Sequence, residues 1–203
     1  MDVETRLQSR HRLDPAILGG AMRKALYFLG ILDDSDLEWI ISNGHKRRCS
    51  SGDILVKQGI ALDSLFIVLS GQLAVVISGD SGRQTEIAQL LTGEVVGEMS
   101  FVDSLPPTAT VKVQTDSAVL SIDRVQLQRK LESDTGFASR FYRALAVFLA
   151  NRYRSTVAGL GYSDGADIDE DSVEADELAL DVLDNVYMAG TRFKELQDRL
   201  ARI

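Results

Sequence analysis

The chain has 203 residues, 45% hydrophobic and 26% charged, enough for one cored domain with appendages. A single cysteine, Cys49, excludes an internal disulfide framework and fits a reducing compartment, and no apolar run approaches a membrane span. The net charge of −8 is concentrated between Gly161 and Glu177, where eight acidic side chains and no basic one occur, so a phosphate backbone is a disfavoured partner.

The start, Met1-Asp-Val-Glu-Thr-Arg, lacks the basic-then-apolar pattern of an export signal, and a cytoplasmic location is expected. Asp14-Pro15 is a helix start signal, and Leu18, Met22, Ala25 and Leu29 recur as one helical face. A second helix is expected from about Ser35 to Ile41, capped by Asp34 or Ser35. From Lys46 to Ile122 the pattern becomes short β-rich runs punctuated by glycine, as antiparallel turns require. Within it, Leu65 to Leu69 is uninterruptedly apolar and reads as a central strand, and Ser78 to Gly82 reads as a hairpin loop.

After Asp123 the helical period returns. Phe137, Phe141, Leu145, Phe148 and Leu149 form one stripe on a helix running to about Val157, with Arg140, Arg143, Arg152 and Arg154 largely off it. The acidic stretch 158–172 reads as a linker, since it lacks the glycine and closing glutamate of a calcium loop. In 173–203, Val182, Val186, Phe193, Leu196 and Leu200 belong to an a/d seam with four-three spacing. A helix of that length is marginal alone, so its seam is expected to face either the chain's own barrel or another protein. The implied organisation is a helical segment over 1–45, a β barrel with closing helices over 46–157, a linker over 158–172 and an amphipathic helix over 173–203.

Two adjoining blocks carry the functional information. Gly93-Glu-Val-Val-Gly-Glu-Met-Ser-Phe101 is a glycine turn leading into a short helix, and Pro106-Pro-Thr-Ala-Thr-Val111 is a stiffened return to a strand. Free amides at such a helix start can bind phosphate, and a carboxylate beside them can accept from a ribose hydroxyl. These blocks resemble the phosphate-binding cassette of cyclic nucleotide-binding domains, of the catabolite activator protein and protein kinase A regulatory subunit type. The resemblance extends over about 26–160. It includes Leu29-Gly-Ile-Leu-Asp-Asp-Ser-Asp-Leu-Glu-Trp-Ile40, Cys49-Ser-Ser-Gly-Asp-Ile-Leu-Val-Lys-Gln-Gly59, Asp63-Ser-Leu-Phe-Ile-Val-Leu-Ser-Gly-Gln-Leu-Ala-Val75 and Ala118-Val-Leu-Ser-Ile-Asp-Arg-Val-Gln-Leu127.

The resemblance implies an α+β fold, an eight-stranded antiparallel jelly roll with flanking helices. It gives Gly97 the close approach to phosphate, Glu98 the ribose hydroxyl, Met99 and Ser100 backbone amides, and Thr108 a hydroxyl for a phosphate oxygen. Ala109 would return the chain to the barrel. The position of the family's phosphate-pairing arginine is occupied by Pro107, which has no side-chain donor and no N–H. In space, Arg83 or Lys112 are the candidates to supply that cation.

The expectation is a non-enzymatic regulatory or scaffolding module with weak or absent binding of cyclic AMP and cyclic GMP. It would act through protein partners or self-association via its C-terminal helices. The alternative is a genuine sensor of a cyclic nucleotide or related phosphate ligand. No cofactor, metal or catalytic residue is expected, because His11 and His45 lack ligand spacing to cysteine or carboxylate. A helix-turn-helix is not expected in the acidic, heptad-patterned remainder.

Overall fold

The helix ahead of the first strand is set by a capping box. The side chain of Asp33 accepts from the Asp36 N–H, and Asp36 accepts in return from the Asp33 N–H, which starts helix α1 (Asp34–Asn43). The cap is therefore Asp33, one or two residues ahead of the sequence-based expectation, because the reciprocal pair satisfies two end amides at once. The computed structural model describes residues 28–79, 83–159 and 180–201, with side chains of the last helix described over 189–200. Most of the helix expected from Leu18, most of the linker, and the tip of the hairpin loop lie outside the described residues; the end of that helix, 28–31, is described and helical.

Two four-stranded antiparallel sheets follow. The first has the order β1 (Gly44–Cys49), β8 (Ser117–Asp123), β3 (Ser64–Ser70), β6 (Val95–Val96). The second has the order β2 (Ile54–Val56), β7 (Thr110–Val113), β4 (Gln72–Ser78), β5 (Gln84–Leu91). A short helix, α2 (Glu98–Asp103), lies between β6 and β7, and α3 (Arg124–Ser133) and α4 (Thr135–Gly159) follow β8. The last described element is α5 (Leu180–Ala201).

The apolar run of β3 is buried on both faces. Phe66 and Val68 join Leu73, Val96, Val113 and Val119 between the sheets, while Leu65, Ile67 and Leu69 pack outward beneath the helices. A strand covered on both faces needs no polar alternation, which is why this segment reads as continuous hydrophobicity. Cys49 is buried in the inter-sheet core, and burial pushes its thiol above the ordinary value, as for an inert thiol.

The helical layer closes the outer face of the first sheet. The α4 stripe, Phe137, Phe141, Leu145 and Phe148, is buried there with Leu37, Ile40, Leu120 and Ile122. Ala189, Phe193, Leu196 and Leu200 of α5 belong to the same core. Ion pairs tie the layer to α1: Arg140 of α4 donates to both carboxylate oxygens of buried Asp36 at 2.6 and 2.8 Å. From α5, Arg192 holds Asp34 through two contacts of 3.0 and 2.9 Å, and Arg199 pairs with Glu38. The seam of α5 is thus covered by its own chain over 189–200. The side chains of Val182 and Val186 lie outside the described set.

Candidate functional site

The turn that opens α2 depends on Gly97. Its φ is +91°, and a Cβ there would approach Leu62 Cδ2 to 2.4 Å and the Ser64 carbonyl oxygen to 3.2 Å. Only glycine accommodates both the left-handed conformation and the packing. Glu98 and Ser100 are consequently turned inward and buried, while Met99 is exposed. At the other end of α2, Arg124 donates to the Ser100 carbonyl and to Ser104 Oγ, both at 2.9 Å, fixing the short helix to the start of α3.

Gly97, Glu98, Met99, Ser100, Pro107, Thr108 and Ala109 line one cavity, so the two sequence blocks meet in space. Its wall is apolar, with Val56, Val75, Leu90 and Val111 from the second sheet. The cavity volume is about 120 Å³, below the roughly 300 Å³ at which small-molecule clefts begin.

The cavity's cation comes from α4. Arg152 lines the cavity and donates to Glu98 Oε1 through one guanidinium nitrogen. Its other nitrogen donates to the Val95 carbonyl at 3.3 Å and lies 3.7 Å from Glu94 Oε2. The guanidinium also sits 4.6 Å from the centre of the Phe148 ring, which shields it on one face. Neither substitute suggested by the sequence lines the cavity, and Lys112 faces outward from β7.

Burial pushes the Glu98 carboxyl above its ordinary value of 4.5, and Arg152 with nearby backbone N–H groups opposes that rise. One guanidinium serves both Glu98 and Glu94, and Asp103 adds a further acid to the cavity wall. The charged groups around the cavity therefore sum to net negative.

The signal for Arg152 was present in the α4 stripe. Counting on from Phe141, Leu145 and Phe148 by the same spacing lands on Arg152, so the arginine continues the inward face rather than leaving it.

Residues 46–134 match the model of the family described as cyclic nucleotide-binding domain. Over this stretch the chain has the fold of a cyclic nucleotide-binding domain. Over 113 residues it is 24% identical to the cAMP-dependent protein kinase regulatory subunit of Blastocladiella emersonii, covering 56% of this chain and 28% of that one. Over 129 residues it is 25% identical to the cAMP-activated global transcriptional regulator CRP of Escherichia coli O6:H1, covering 63% of this chain and 60% of that one.

The chain thus spans less than two thirds of either relative. Among solved structures, a cyclic nucleotide-binding domain from Methylobacillus flagellatus superposes with a TM-score of 0.61 at 18% identity, covering 78% of this chain and all of that one. Thermus thermophilus catabolite activator protein superposes at 0.57 with 23% identity, covering 67% of this chain and 62% of that one. At these identities the two structures speak to the fold of the cyclic nucleotide-binding domain. No helix among the described residues is long and apolar enough to cross a membrane.

Proposed function

We propose that this cyclic nucleotide-binding domain is a non-enzymatic regulatory or scaffolding module whose cassette is closed from within by Arg152, with weak or no binding of cyclic AMP and cyclic GMP. The observation that carries the reading is the Arg152–Glu98 pair opposite Pro107. Glu98, the carboxylate that the family resemblance assigns to the ribose, is already engaged, and the local cation is committed to carboxylates. A cyclic nucleotide would have to displace that pair and enter a net negative cavity without a phosphate-pairing arginine. Loss of such a charge-assisted bidentate contact costs on the order of 1.5–3 kcal/mol, or about ten- to a hundredfold in affinity.

The relatives' names support a regulatory role for the domain. We place the module in the cytoplasm on its single cysteine, and assign it protein partners rather than nucleic acid on its net charge of −8. The partner contacts would be made by surfaces of α4 and α5 other than the covered seam.

Isothermal calorimetry tests the reading. The unmodified protein should show no affinity for cyclic AMP or cyclic GMP tighter than high micromolar. Pro107→Arg should improve it by about tenfold or more, and most clearly in combination with Arg152→Ala. Submicromolar binding by the unmodified protein, lost in Arg152→Ala, would instead establish a sensor in which Arg152 turns to the phosphate.

A further inference from the structure

The helical face of the first sheet has a second, larger cleft at the corner where β1, the β3–β4 turn and the β7–β8 turn meet the end of α5. Its volume is about 510 Å³, within the range of small-molecule sites. It shares no lining residue with the cassette cavity.

The recess arises from small residues in register with long ones. Lys46 and Arg48 are two residues apart on β1, so both point to the helical face with their Cα atoms about 7 Å apart. Lys46 is paired in register with Leu120, but Arg48 is paired with Ala118, whose methyl group leaves the floor beneath the arginine open. Ser70, next to Ala118 on the other side, is also small.

The floor is rigid. Gly71 has a φ of +92°, and a Cβ there would come within 2.1 Å of Ser117 Oγ, so the two turns are in direct contact. Ser117 Oγ donates to the Thr115 carbonyl at 2.6 Å, the Gln114 N–H donates to the Gln72 carbonyl at 2.9 Å, and the Ser51 N–H donates to Asp116 Oδ1 at 3.0 Å. The walls are also pinned: Gln197 of α5 donates to the Leu69 carbonyl at 2.6 Å, and Lys46 Nζ to the Leu200 carbonyl at 3.1 Å.

The chemistry of the lining is that of an anion site. Lys46 and Arg48 bring two positive charges against one, Asp116, in a protein whose net charge is −8. Arg48 is exposed at the mouth with no ion pair among the described residues. Lys46 spends one donor on Leu200, leaving two on the same ammonium. Ser50 and Ser70 add hydroxyls.

We propose that this cleft binds a small phosphate monoester, held by the Arg48 fork, the free Lys46 donors and the serine hydroxyls. Because Lys46 also grips the last turn of α5, the bound ligand ties β1 to that helix and strengthens its docking.

The test is NMR titration with glycerol phosphate, inorganic phosphate and succinate at constant ionic strength, with hydrogen exchange of α5 measured free and saturated. The proposal expects saturable shifts at Arg48, Ser50, Ser70 and Ser117. It expects binding at least about tenfold weaker in Arg48→Glu and Arg48→Gln, unchanged binding in Arg152→Ala, and slower exchange in the last turn of α5. Absence of saturation, or insensitivity to both Arg48 variants, would overturn the site. Equal affinity for succinate would overturn the phosphate class, and unchanged exchange on saturation would overturn the link to α5.

Discussion

Glu98 and Arg152 set the electrostatics of the cassette. The folded-state pKa of Glu98 lies above its unfolded value, so the folded protein holds that proton more tightly. Such a group stabilises the fold fully below about pH 4.5, and the contribution is lost as pH rises through the folded-state value. Arg152 limits the loss by favouring the carboxylate. Arg152→Ala should therefore destabilise the protein by about 1.5–3 kcal/mol at neutral pH, with the deficit shrinking toward pH 4.5 at up to about 1.4 kcal/mol per pH unit. Denaturant unfolding across pH 4–8 measures this, and adding Glu98→Gln to the variant should flatten the profile. A deficit independent of pH would mean that Arg152 contributes packing on Phe148 rather than charge.

At the scale of elements, α1 is the piece that α4 and α5 both hold. Its acidic side chains Asp36, Asp34 and Glu38 meet Arg140, Arg192 and Arg199 in turn. The exposed pairs contribute little individually, because solvent screens them. The apolar seam does more, and Phe193 is its largest described member, buried against the shared core. Phe193→Asp should lower the melting midpoint by roughly 10 °C, from a loss of about 3–5 kcal/mol, with no change in mass by light scattering. A changed mass with an unaltered midpoint would show that another chain covers the seam in solution.

For the whole molecule, two cores share the first sheet: one lies between the sheets, the other between that sheet and the helices. Among the described residues, the inter-sheet core contains none of α5. A chain ending at Gly159 should keep a cooperative thermal transition and a β-rich circular dichroism spectrum, but melt lower than the full protein because Ile40, Leu37 and Leu69 lose cover. We propose the boundary at 157–159 on that ground. Loss of cooperativity on truncation would make α5 part of the folding unit itself.

The strands, their glycine turns, the α4 stripe and the cassette blocks were legible in the residues because each depends on contacts close along the chain. Leu65 to Leu69 declares a twice-covered strand through its run of side chains, and Gly97 declares a turn that no other residue tolerates. The amphipathic periods of α4 and α5 likewise show which faces seek cover. What covers them was decided only in three dimensions. Glu98 and Arg152 stand 54 residues apart, and Arg192 and Asp34 stand 158 apart; no local pattern encodes which charge meets which. The same holds for the α5 seam, whose four-three spacing suits a second chain as well as its own core. Tertiary packing chose the latter by offering the apolar surface that includes Leu37 and Ile40 at the chain's own effective concentration, where burial needs no loss of translational freedom.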